Sequence, residues 1–171
     1  PDDATLRFAR RDRVLAEMEA DDVDVLVLGR EANARYVSGV PRLWLAGVRP
    51  FGITCVLVRR TGAVHRLTTW DEGVPDEIPH DQLIGYTFDP GNVLRALREI
   101  DGSGTFRVVA SDGLSPSTEG LLSKAFPAAA LVDGERVMRE IRRIKSAEEI
   151  EVIRGAAGIA ERSAAAVGGA I

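Results

Sequence analysis

With 171 residues, 45% of them hydrophobic and 28% charged, the chain has ordinary globular usage and is long enough to bury a core as one domain, or one domain plus a linker helix. Its 22 basic and 26 acidic residues leave a net charge of −4, which argues against nucleic acid as a partner, and no apolar run approaches the roughly 20 residues that a bilayer span needs. The single cysteine, Cys55, excludes an internal disulfide and fits a reducing, cytoplasmic setting, while a start at Pro1 leaves a trimmed terminus and a removed leader open.

The chain opens with Phe8, Leu15 and Met18 at helical spacing, predicting an amphipathic helix over Thr5 to Asp21. Its arginines, Arg7, Arg10, Arg11 and Arg13, read as an anion patch or, more simply, as a solvated helix face. Val23 to Gly29 is nearly continuous in apolar residues, as in an inner strand covered on both faces. A short helix over Asn33 to Val37 follows, with Gly39 as a left-handed stop. Leu43 to Pro50 is apolar but broken by Gly47 and Pro50, and reads as a loop tucked into its own core or covered by another surface.

Phe51 to Val58 predicts the longest strand. Arg59 to Ala63 predicts a hairpin turn around Gly62, and Val64 to Thr69 an antiparallel return that alternates apolar with polar residues. Trp70 to Asp81 is acidic and punctuated by Pro75 and Pro79, hence a loop or a frayed turn of helix. A strand over Leu83 to Phe88, a helix over Asn92 to Ile100, a strand over Phe106 to Ala110, a helix from Ser115-Pro116 to Phe126 and a strand over Ala130 to Val132 complete the series. One hairpin among otherwise helix-separated strands predicts an α/β fold: a mixed six-stranded sheet flanked by helices on both faces.

Catalytic signatures are missing from this order. His65 reads as a mid-strand ring. His80 with Asp76, Glu77 and Asp81 is the one metal-like cluster, and its spacing matches no ligand motif. Ser38-Gly39 and Ser111-Asp112-Gly113 read as turns rather than nucleophile elbows. Cys55, inside an apolar strand, reads as a buried inert thiol. Gly102-Ser103-Gly104 precedes a strand and lacks the geometry of a phosphate loop.

The last long element, Arg139 to Val167, organises the rest. Ser146 followed by Glu149 is a capping box. Ile150, Ile153, Ala157, Ala160, Ala164 and Val167 then form one helical stripe, and Gly168-Gly169 a stop. The basic run Arg139, Arg142, Arg143 and Lys145 reads as a linker face salt-bridged to glutamates. Such a helix, capped and striped at the end of the chain, predicts a partner domain beyond it.

Arg142-Arg143-Ile144-Lys145-Ser146-Ala147-Glu148-Glu149-Ile150 resembles the junction of the creatinase/prolidase/aminopeptidase P family, and Asn33-Ala34-Arg35-Tyr36-Val37-Ser38-Gly39 is similar to that family's Asn-x-x-Tyr-x-(Ser/Thr)-Gly segment. The resemblance implies a non-catalytic N-terminal domain over residues 1–136 and a C-terminal linker helix over 137–171. These would lead to an absent pita-bread metallohydrolase domain, Xaa-Pro dipeptidase-like. It implies that the parent hydrolyses a C–N bond with a divalent metal pair (Mn, Co or Zn) held by that absent half, or by metal-free acid–base chemistry in the creatinase branch. No residue here inherits a catalytic or metal-ligand role. It further implies a homodimer in which this domain walls the partner's pocket. Arg49-Pro50-Phe51 is similar to creatinase's Arg-Pro-aromatic stretch, whose arginine contacts substrate, which makes Arg49 and then Trp44 the candidate substrate-binding residues. Gly47 and Val48 stand where creatinase has a further aromatic residue. The alternative reading is a stand-alone binding module or pseudoenzyme domain with no hydrolytic partner.

Overall fold

Valine and leucine occupy every position of Val25-Leu26-Val27-Leu28 because this strand, β1, is buried between two layers of helices. The structure, a computed structural model, describes residues 3–41 and 52–168. Within them the chain runs α1 (Asp3–Ala20), β1 (Val25–Leu28), α2 (Glu31–Ser38), β2 (Cys55–Val58), β3 (Val64–Thr68), β4 (Leu83–Gly85), α3 (Pro90–Glu99), β5 (Val108–Asp112), α4 (Pro116–Ala125), β6 (Ala130–Asp133), α5 (Gly134–Arg143) and α6 (Ala147–Gly168). The six strands form one sheet in the order β4-β3-β2-β1-β5-β6. The hairpin β2–β3 and the pair β1–β2 are antiparallel, whereas β1–β5, β5–β6 and β3–β4 are parallel. The predicted mixed sheet is therefore the observed one.

Successive strand residues point to opposite faces, so each inner strand feeds two cores. Leu26, Leu28, Cys55 and Leu57 join Val14, Met18, Val37, Met138 and Ile141 under α1, α2 and α5. Val25, Val27, Val56 and Val58 join Val93, Leu97, Leu122 and Phe126 under α3 and α4. Each fully buried aliphatic side chain here contributes about 1.5–3 kcal/mol. β6 closes one edge, and its four residues are all exposed.

Several boundaries moved for identifiable reasons. Among the described residues β2 is only four residues long, shorter than the strand predicted from Phe51. Its ladder gives way at Thr54, whose carbonyl accepts both the Leu67 N–H (3.0 Å) and the Arg66 guanidinium (2.6 Å). β5 starts and ends two residues later than predicted. Its entry is held by Asp24, whose carboxylate accepts the N–H groups of Arg107 (2.6 Å) and Val108 (3.1 Å). α3 begins at Pro90 because Asp89 caps it, accepting from Gly91 N–H at 2.8 Å. Gly39 (φ 71°) and Gly62 (φ 68°) take the left-handed conformations expected of them, one ending α2 and the other turning the hairpin. The predicted long exit element is two helices. Ile144 is extended (φ −98°, ψ 121°) and separates α5 from α6.

Cys55 has no solvent exposure, and burial pushes its thiol up to about 12 despite the opposing field of Arg66. The folded chain is expected to resist iodoacetamide at mildly alkaline pH and to be labelled at once in urea. Labelling of the native chain at a free-thiol rate would contradict this packing.

Candidate functional site

The chemistry of this molecule gathers where α1, α2, α5 and α6 meet. Arg10 and Arg13 lie three residues apart on α1, hence on one helix face. Arg10 donates from Nε to Glu149 Oε1 at 2.9 Å, and Arg13 from Nη1 to Glu149 Oε2 at 3.0 Å. The same Oε2 accepts the Ser146 N–H (3.0 Å), while Ser146 Oγ accepts the Glu149 N–H (3.2 Å), so the predicted capping box is formed. Arg13 Nη2 also donates to the carbonyls of Ile141 and Ile144, both at 2.6 Å. One guanidinium thus closes the end of α5 and holds the start of α6. Glu149 is buried. Burial alone would raise its pKa, but the Ser146 amide and the two arginines outweigh this and hold the carboxyl below its usual value.

Asn33 and Tyr36, two of the four named positions of the earlier segment, face this junction from α2. The Arg10 guanidinium lies 4.9 Å from the Tyr36 ring centroid and that of Arg142 6.0 Å, and Arg13 Nη1 donates to Tyr36 Oη at 3.3 Å. Burial and then the Glu149 charge raise the Tyr36 phenol above its ordinary value, so it stays neutral. Arg142 donates to Asn33 Oδ1, and Asn33 Nδ2 donates to Asp112 Oδ2. Asp112 Oδ1 accepts the N–H groups of Gly29 (2.6 Å) and Arg30 (3.1 Å), closing the entry to α2. The two segments of the resemblance, more than a hundred residues apart, are one hydrogen-bonded unit.

This corrects three expectations. The α1 arginines are not a solvated face: Arg11 is buried and donates to the Val37 carbonyl, and Arg7 forms a two-pronged pair with Glu77 (2.9 and 3.2 Å). In the linker run, Arg143 pairs with Glu140 at 3.0 Å, but neither Arg142 nor Lys145 has a carboxylate partner among the described residues. Asp112, expected in a turn, is the last residue of β5 and a buried cap.

The metal-like cluster does not converge. Glu77 is taken by Arg7, exposed His80 sits 3.3 Å from Asp71, and among the described residues no three His, Cys, Asp or Glu side chains could hold a metal ion. The described residues therefore do not form a dinuclear metal centre. Arg49 and Trp44, the candidate substrate-binding residues, lie outside the described residues.

The sequence profile of the Creatinase/Prolidase N-terminal domain matches residues 10–144. The chain belongs to this family. No curated protein sequence matches it. Among solved structures it is similar to the Xaa-Pro dipeptidase from Bacillus anthracis (TM-score 0.66, 15% identity, 96% of this chain and 44% of that one). It is also similar to the prolidase from Pyrococcus furiosus (0.61, 17%, 90% and 44%). A third likeness is to the N-terminal domain of the cytoplasmic peptidase PepQ from Mycobacterium tuberculosis H37Rv (0.56, 14%, 78% and 98%). At these identities the likeness is one of fold. The chain spans less than half the length of the dipeptidase and prolidase, and nearly all of the isolated PepQ domain. No helix among the described residues is long and apolar enough to cross a membrane.

One buried charge pair in this family domain escaped the sequence reading. Arg66 is wholly buried in β3 and donates to the Thr54 carbonyl and to Glu31 at the start of α2. The polar alternation of Val64 to Thr69 hid it. Arg66 pairs in register with Cys55 and so shares the inward face of the strand with buried Val64.

Replacing Glu149 by Gln keeps the shape and removes the charge that two arginines share. Urea unfolding should show a loss of about 2 kcal/mol, against no more than about 0.5 kcal/mol for Glu151→Gln on the exposed face. Because the folded pKa of Glu149 is lowered, its contribution is complete above its ordinary value near 4.5 and disappears as pH falls through the folded value. Stability measured across that acid range should fall more steeply in the wild type than in E149Q. Parallel curves would show that the carboxylate carries no such load.

Proposed function

We propose that this chain is the non-catalytic N-terminal unit of an Xaa-Pro dipeptidase or creatinase-type hydrolase, contributing dimer contacts and part of a substrate pocket to a catalytic half that follows it. One observation carries the reading. α6 is exposed along nearly its whole length, with Ile150, Ile153, Ile159 and Val167 open to solvent, yet its first turn is locked to the domain by Glu149. A helix rigidly mounted and apolar on its free face fits a surface made to be covered. The proposed unit runs through α5, later than residue 136, because Val137, Met138 and Ile141 are buried in the core, and α6 is the linker.

In this reading a divalent metal pair would be held by the catalytic half, where it would supply an activated water for hydrolysis. This chain's residues position and shield. Arg49 meets an anionic substrate group, and Trp44 lines the wall. The longer relatives, of which the chain covers 44%, leave room for such a half.

The purified chain, stripped of metal, should not hydrolyse Xaa-Pro dipeptides, and added Mn or Zn should neither restore turnover nor bind tightly. The longer product of the same gene should turn them over, lose activity to a chelator and regain it with metal. Hydrolysis by the metal-free chain itself would overturn the proposal. A gene product with no further domain would favour a stand-alone binding module.

A further inference from the structure

Between Tyr36, the end of α5 and the first turns of α6 lies a notch of about 220 Å³, smaller than the roughly 300–1,000 Å³ typical of cofactor pockets. Arg10, Arg142 and Lys145 line it together with a single carboxylate, Glu149. Those four groups carry a formal charge of +3 − 1, or +2. The carboxylate is already committed, since Arg10, Arg13 and the Ser146 amide all hold it. Arg142 spends one N–H on the amide of Asn33, and Lys145 turns to the Arg142 carbonyl, so both cations lack an ionic partner among the described residues. The side wall is apolar, made by half-exposed Val152 and Ile153 of α6.

We propose that this notch is a carboxylate-binding site. In the longer protein it is filled by an acidic side chain of the half that packs along α6. This deepens the function proposed above and rests on it. Charge selects the ligand: an unpaired guanidinium and ammonium beside an aromatic ring offer charge-assisted hydrogen bonds to one further carboxylate, and a fourth cation would be repelled. Size selects the source, because the notch has room for a side chain and little more. Continuity decides between a side chain and a free acid: the apolar wall belongs to the exposed face of α6, so whatever covers that face brings its acidic group to the notch.

The test uses acetate as the probe, titrated at constant ionic strength against chloride while the arginine Nε–H and lysine resonances are followed by NMR. In the 171-residue chain, saturable shifts are expected at Arg10, Arg142 and Lys145. Binding should weaken about tenfold in Arg142→Gln and in Lys145→Gln, with no change in Arg95→Gln on the far side of the sheet. Lys145→Gln guards the result, because Lys145 donates to the Arg142 carbonyl of its own segment and takes no part in the Arg142–Asn33–Asp112 hydrogen bonds. Absence of saturation in the wild type, or binding as tight as the wild type's in both variants, would overturn the site. In the longer protein the notch should already be filled, and acetate should move none of these resonances. Undiminished acetate binding by a longer protein that hydrolyses Xaa-Pro dipeptides would leave the proposed function standing and overturn this occupant.

Discussion

The Glu149 carboxylate is the joint on which the architecture turns. Without it α6 would be tied to the rest of the domain chiefly through the short connection at residues 144–146. Among the described residues α6 buries no other side chain of its own, so tertiary packing does little to support it and its capping matters more than usual. Nature has placed two arginines of α1, the most distant helix in sequence, on this one group. The cost of removing Glu149 from water is offset because each of its oxygens accepts at least one charge-assisted hydrogen bond. Arg13 adds a second duty by holding the Ile141 and Ile144 carbonyls, so the end of one helix and the start of the next are fixed by the same side chain.

From this joint the constraints run inward. Arg142 leads to Asn33, Asn33 to Asp112, and Asp112 to the backbone at the entry of α2. Asp112 is buried, and burial raises its pKa, with the Asn33, Arg30 and Gly29 hydrogen bonds opposing that rise. The exit helix is thereby referenced to the carboxyl ends of β1 and β5, two parallel neighbours at the middle of the sheet. A displaced α6 would have to break this chain of polar contacts, which suits a part that must hold one fixed attitude toward what it meets.

Local rules made much of this legible in the sequence. β1 was evident because a strand buried on both faces leaves no polar positions, and Ser146–Glu149 because a capping box is written in four consecutive residues. Gly39 and Gly62 announced their turns through the same economy. What stayed hidden was long-range. Nothing near Arg10 or Arg13 says that their partner lies more than 130 residues away, so a cluster of arginines on a helix read as solvated. Arg66 was concealed by its neighbours: in an alternating strand a charge is assigned outward, and only the pairing with Cys55 turns it in. The edges of β5 moved because Asp24 and Asp112 act through side chains on backbone far along the chain, which no propensity scale registers. The family segments fared better, since Asn33, Tyr36 and Glu149 are the residues that the structure brings together.

The most direct test is a distance. Nitroxide labels at Glu119→Cys on α4 and Glu161→Cys on α6, with Cys55 too buried to react, report where the exit helix points by pulsed electron spin resonance. A single narrow distance distribution that broadens in E149Q is the predicted result. A broad distribution in the parent chain, or one unchanged by the loss of the carboxylate, would contradict the claim that Glu149 sets the attitude of α6.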